Sequence, residues 1–193
     1  MLQSLRRFLI RLLNPINKFL GDLHYAPRYR DLSAKDIWEI SKYLKPGDVL
    51  ISYSSGELTN LLIDGEYKHA AMFTGKGFVV EAVGTGVRRV NFYDFARGKD
   101  KIAALRSIFC TEDQAIIAAV TADGLVGKPY DYDFEPNEKA FYCAEIISYC
   151  YDLAKATKSP FKTREIMGVM TVLPIDFKNA SDKFSIVIER PAK

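Results

Sequence analysis

At 193 residues the chain has the length of one ordinary domain, and folding at that size buries roughly 70% of the extended chain's surface. Hydrophobic residues at 48%, charged residues at 26%, 12 Gly and 8 Pro exclude collagen-like and disordered classes. The net charge of +3 is unevenly placed: Arg6, Arg7, Arg11 and Lys18 stand in residues 1–21 with no acid, a local +4 that leaves the remainder at −1. A nucleic-acid binder carries its basic field on the folded body, so nucleic acid is not an expected partner.

Residues 2–20 come first. Leu2, Leu5, Leu9, Leu12, Ile16 and Leu20 recur at the helical period, with Phe8, Leu13 and Phe19 widening the stripe. Pro15 kinks or divides this helix. Its apolar run is too broken by charge to span a bilayer or to serve as a secretory signal. Two readings stay open: a basic amphipathic helix lying on an anionic membrane surface, or a helix packed on the domain or on a second subunit. The oligomeric state cannot be read from the sequence.

Residues 22–45 read as a connector and a short helix. Ser33-Ala-Lys-Asp36 is a capping box ahead of Ile37, Trp38 and Ile40, and the helix stops before Pro46-Gly47. Strands follow at Asp48–Tyr53, His69–Thr74 and Phe78–Val83, the last two a hairpin around Gly75-Lys-Gly77. A helical turn is expected around Leu58–Ile63, with further strands at Val87–Asn91 and Ile102–Ser107. Ile116, Ile117, Val120, Leu125 and Val126 mark a helix from Glu112 to Val126, broken by Gly127 and Pro129. A second helix begins near Cys143 and runs to about Ala156, with Ile146, Ile147, Cys150 and Leu153 inward. Phe184–Glu189 alternates as a closing strand. The expected fold class is α+β, a small antiparallel sheet or partial barrel packed against helices, with residues 46–193 as its body.

Three cysteines, Cys110, Cys143 and Cys150, have no CxxC spacing and an odd count, which argues against a disulfide framework and for a reducing compartment. The expected location is the cytoplasm, with peripheral contact at the inner membrane face as the open alternative. Two histidines and no short ligand cluster give no metal site. Neither GxGxxG nor GxxxxGK[ST] occurs, and the acids of Gly127–Phe134 lack calcium-loop spacing, so no cofactor is expected.

Cys143 is set apart by its place in Phe141-Tyr-Cys-Ala-Glu-Ile-Ile147, at the start of a helix. Unpaired first-turn amides there favour a thiolate and can hold a developing oxyanion. The plain alternative is a small buried hydrophobe. His69 opens a strand and can serve as its base, or be merely structural; His24, in the connector, has no comparable setting. Glu81 interrupts the apolar strand Phe78–Val83, where a carboxylate is costly unless paired. It either orients the imidazole or lies on a solvent face. Tyr130, in Gly127-Lys-Pro-Tyr130, either donates to the oxyanion or caps the core.

The succession GDVLISY, KHAAMF, GFVVEAV, GKPYDYDF and FYCAEIISY, over residues 46–156, resembles the circularly permuted papain-like hydrolases and amidases of the NlpC/P60 superfamily. It is distantly similar to the lecithin:retinol acyltransferases. Ordinary members place cysteine before histidine; here His69 and Glu81 precede Cys143. The resemblance implies Cys143 as nucleophile, His69 as base and Glu81 as the orienting residue, with Tyr130 on the aromatic position after Gly-Lys-Pro. Two departures are Ala144 where Cys-Ser-Glu is common, and Lys68 where Ser-His is common. The implied activity is cleavage of an amide through a thioester, in a cell-wall peptide or N-acyl amide. The alternatives are a lipid-directed thiol acyltransferase or esterase, and a membrane-associated binding or structural protein that kept the fold without turnover.

Overall fold

The computed structural model describes residues 32–55, 65–132, 134, 138–155, 161, 164–166 and 169–191. The helix expected over 2–20, His24, residues 22–31 of the connector and the turn near 58–63 lie outside the described residues. In chain order the elements are α1 (Ala34–Tyr43), β1 (Val49–Tyr53), β2 (His69–Gly75), β3 (Phe78–Val83), β4 (Gly86–Asn91), α2 (Phe92–Ala96), β5 (Lys101–Ser107), α3 (Glu112–Gly124), α4 (Cys143–Lys155), β6 (Arg164–Ile166), β7 (Val169–Thr171), α5 (Pro174–Asn179) and β8 (Phe184–Arg190). The expected strands of the main sheet and the three longer helices all form. The short helices α2 and α5 and the β6–β7 hairpin were not expected.

Ser33 starts α1 as its spacing dictates. Its hydroxyl accepts from the Asp36 amide at 3.2 Å, and the Asp36 carboxylate accepts from the Ser33 amide at 2.9 Å. Six strands pair antiparallel in the order β4-β3-β2-β1-β5-β8. Both sheet faces are covered, and strand alternation divides the core in two. Val49, Ile51, Ala70, Met72, Ala103 and Leu105 face α3 and α4. Leu50, Ala71, Phe73, Ile102 and Ala104 lie with Leu32, with Ile40 of α1 and with Phe92 and Phe95 of α2.

One helix packs through residues other than those that mark it, and one residue expected inward is not. The residues that mark α3 as a helix are not its inner face: Ile116, Ile117 and Val120 are exposed, and Ala118, Ala119 and Ala122 are buried. Close approach is the cause. At Gly47, in the turn before β1, a Cβ would stand 2.6 Å from the Ala115 carbonyl oxygen, so only small side chains fit between α3 and its neighbours. The helix ends at Gly124, two residues short of the expected Val126. In α4, Leu153 is exposed rather than inward. The buried residues there run from Cys143 through Ile146, Ile147, Cys150 and Tyr151, and Leu153 lies beyond them in the last turn. The Tyr151 hydroxyl donates to the Gly47 carbonyl at 2.6 Å.

This arrangement reverses what side-chain hydrophobicity alone would suggest. Ala119, 1% exposed, replaced by Leu overpacks the α3 contact and costs about 1–3 kcal/mol. Ile117, 50% exposed, replaced by Ala changes stability by less than about 0.5 kcal/mol. Urea unfolding midpoints of the two variants check this ranking.

Candidate active site

His69 is the first residue of β2 and Cys143 the first of α4, so each side chain sits where its element begins. The two come together, close enough for Cys143 to help raise the His69 imidazole. Its Nε2 lies 2.7 Å from Glu81 Oε2. With Nε2 on the carboxylate, Nδ1 is the ring nitrogen left for the sulfur, the tautomer and orientation a base needs. A third contact steadies the ring, since His69 packs at 6.2 Å, centroid to centroid, on Phe95 of α2.

Glu81 is almost wholly buried, and both of its oxygens are used. Oε2 meets His69, and Oε1 accepts from Arg88 Nε at 2.9 Å and from Arg88 Nη2 at 2.7 Å. Arg88 reaches it because β3 and β4 pair Glu81 directly opposite Arg88, which puts the two side chains on one face. Burial pushes the Glu81 carboxyl up, but the bonds and charges of His69 and Arg88 outweigh it and hold it down at about 2. Burial likewise works against a charged His69, and the hydrogen bonds of Cys143 and Glu81 with their charges overcome that, raising the imidazole to about 9. At neutral pH the site therefore holds a carboxylate and an imidazolium against the sulfur.

The loop ahead of Cys143 is fastened to the same meander. Val87 N donates to Lys128 O at 2.8 Å, and Gly127 N to Val87 O at 2.9 Å. Gly86 has φ +113, and a Cβ there would lie 2.7 Å from Lys128 O, so only glycine admits this approach. Phe141 N donates to Pro129 O at 3.1 Å, and Asp131 N to Phe141 O at 3.2 Å. This bridge carries the chain past Tyr130 to Cys143. Burial first, and then the neighbouring Cys143, raise the Tyr130 phenol well above its ordinary range, so it remains a hydrogen-bond donor at working pH. Its ring lies 4.8 Å from Tyr132.

Helix α4 starts cleanly. Ile146 N donates to Tyr142 O at 3.2 Å as the first helical bond, and Glu145 Oε2 accepts from Tyr142 N at 3.2 Å. The first-turn amides of Cys143, Ala144 and Glu145 have no helical acceptor and point out of the helix start. Burial, and after it the Asp131 charge, push the Glu145 carboxyl up to about 8 despite the Tyr142 amide. Near neutrality it is mostly uncharged, which spares the helix start a second negative charge.

Of the residues singled out from sequence, His69, Glu81 and Cys143 come together, and Tyr130 stands beside the thiol. The other two cysteines are elsewhere: burial pushes the Cys150 thiol up, and Cys110 Sγ lies 2.5 Å from Ser107 Oγ. Sequence reasoning missed Arg88 and Phe95. The signal for Arg88 was present, because the two-residue Gly84-Thr85 turn between Val83 and Gly86 fixes the pairing that faces it to Glu81. Among the described residues, no group of three or more His, Cys, Asp or Glu side chains is placed to hold a metal ion.

Comparison with known proteins bears on this geometry. The family described as permuted papain-like amidase enzyme, YaeF/YiiX, C92 family, matches residues 43–188. The probable lipoprotein peptidase YaeF of Escherichia coli (strain K12) is 33% identical over 92 residues, 46% of this chain. The match spans only 34% of that relative's length. The crystal structure of the metalloprotein yiiX from Escherichia coli O157:H7 is similar with a TM-score of 0.66 at 19% identity, over 77% of this chain and 98% of that one. At that identity the likeness is one of fold.

The charges around His69 set a pH signature. Its raised value contributes stability fully below the ordinary 6.5 and loses it as pH rises through about 9. The lowered value of Glu81 contributes above the ordinary 4.5 and is lost as pH falls through about 2. The chain has two histidines, so imidazole resonances followed by NMR check the source directly. The His69 resonance titrates near 9 in the wild type, and Glu81→Gln lowers that midpoint by about one unit or more. An unchanged midpoint would show that Glu81 does not hold the ring's proton.

Proposed function

The chain belongs to the permuted papain-like amidase family, and from that premise we propose that it is a cysteine amidase or peptidase in which Cys143 is the nucleophile. The observation that carries this reading is an imidazole held on a buried carboxylate at 2.7 Å and raised by the neighbouring Cys143 at the start of a helix. In this mechanism the proton shared by the pair rests on His69, and the Cys143 thiolate attacks the amide carbonyl carbon. The carbonyl oxygen becomes an oxyanion facing the first-turn amides of α4, with the Tyr130 hydroxyl as a further donor. As the tetrahedral intermediate collapses, the C–N bond breaks and imidazolium His69 protonates the departing amine. The acyl group stays on Cys143 as a thioester. Water, deprotonated by His69, attacks it, releasing the acid and restoring the thiol. Glu81 stabilises the imidazolium and fixes its orientation, and Arg88 fixes Glu81 in turn.

The substrate is a small peptide or an N-acyl amide. Cys143 is 6% exposed and the His69 side chain 17%, so a slender acyl group or extended peptide reaches the sulfur more readily than the surface of a folded protein. That same burial is the observation favouring a second reading, a binding protein that retained the fold without turnover. Trapping separates the two. With short acyl-peptides, N-acyl amides and acyl lipids offered at neutral pH, intact-mass spectrometry is expected to show an acyl adduct on Cys143. Cys143→Ala abolishes the adduct, and His69→Ala slows its formation by about a hundredfold or more. Adducts from lipid esters alone would move the reading to lipid-directed acyl chemistry. A Cys143 no more reactive to iodoacetamide than Cys110 would sink the enzyme reading.

A further inference from the structure

The α1–α2 side of the molecule carries an exposed patch that the thiol chemistry does not use. Trp38 and Tyr93 are 52% and 51% exposed. They form one surface: Trp38, Ser41 and Lys42 share a helix face at spacings of three and four, and Ser41 Oγ lies 3.4 Å from the Tyr93 hydroxyl. Lys42 Nζ sits 3.0 Å above the centre of the Trp38 ring. Lys35 and Arg97 are exposed alongside, one turn before Trp38 and one turn after Tyr93. The acids of α1 are turned to other work, with Glu39 at 3.0 Å and Asp36 at 3.8 Å from Arg190. With Asp94 the exposed acid of α2, Lys35, Lys42 and Arg97 leave the patch positive.

From this patch we infer that the α1–α2 side is a docking surface for an anionic lipid bilayer. Trp and Tyr rings settle at the level of lipid headgroups, and each Lys or Arg held near an anionic surface adds to the attraction. The chain ahead of Leu32 supports the choice of occupant. Leu32, where the described chain begins, is buried in the cluster beneath α1 and α2. The stretch 2–20 ahead of it holds Arg6, Arg7, Arg11 and Lys18 with no acid. Those charges have the wrong sign to cover the patch and the right sign for the same anionic bilayer. Helix α2 then joins surface to site, since Tyr93 faces outward while Phe95 packs on His69.

Trp38 is the sole tryptophan, so its emission reports on the patch in the intact chain. On adding mixed phosphatidylglycerol–phosphatidylcholine vesicles, the emission shifts to the blue and is quenched by brominated acyl chains; phosphatidylcholine alone has neither effect. The triple variant Lys35→Glu, Lys42→Glu, Arg97→Glu sediments with the mixed vesicles about tenfold or more weaker. Its melting temperature and its rate of Cys143 alkylation match the wild type. Three results overturn the inference: no vesicle binding, equal binding to both vesicle types, or binding with Trp38 emission and quenching unchanged, which would assign the contact to residues 2–20 alone. None of them touches the thiol chemistry, which is read separately by acyl trapping.

Discussion

A carboxylate in the middle of an apolar strand is paid for by its partners or it does not stay ionised, and the site is organised around how Glu81 meets that condition. One oxygen takes a forked pair of bonds from Arg88 and the other takes the His69 ring. Each bond has its own structural origin. The β3–β4 register supplies Arg88, and the β2–β3 hairpin supplies His69. The carboxylate in turn settles which imidazole nitrogen is engaged and which faces the sulfur. Remove its charge, and the ring loses its orientation and one of the two partners that favour its proton.

The parts of this site legible in the sequence were those written in local patterns. Glu81 could be noticed because it broke the run Phe78–Val83, and its nearness to His69 followed from the Gly75-Lys-Gly77 hairpin. Cys143 stood out by its place at a helix start. Arg88 was equally determined but not singled out, because a side chain that reaches over a strand to a buried partner looks the same in sequence as one that reaches into water. Phe95 was harder still. It lies in a helix of five residues, too short for periodicity to show, and its contact with His69 arises only when α2 folds back over the sheet. The faces of α3 failed for a different reason. Hydrophobicity ranks Ile above Ala, whereas a helix pressed against the backbone at Gly47 selects for size.

The sheet separates two layers with different duties. On one side α3 and α4 pack closely through small residues and fix the start of the helix that carries Cys143. On the other, α1 and α2 back the histidine and carry the aromatic and basic surface. His69 stands at a strand end between them, with Phe95 packed on it from one layer and Cys143 acting on it from the other. The family to which the chain belongs is permuted, and the geometry explains why the order of the parts along the chain is immaterial to the finished site: each of these side chains belongs to the end of an element or to a register fixed by its immediate neighbours.

The order does matter while the chain is being made. His69, Glu81 and Arg88 fall within one stretch of antiparallel strands, a unit whose contacts are local in sequence. The thiol arrives on a helix specified much later, after α3 has been synthesised and must already be against the sheet. A ribosome-bound chain therefore carries His69, Glu81 and Arg88 long before Cys143 is made, and contacts between such distant segments form late. The carboxylate and its two cationic partners can thus assemble as a local unit, and the thiol joins them only when α4 reaches the sheet.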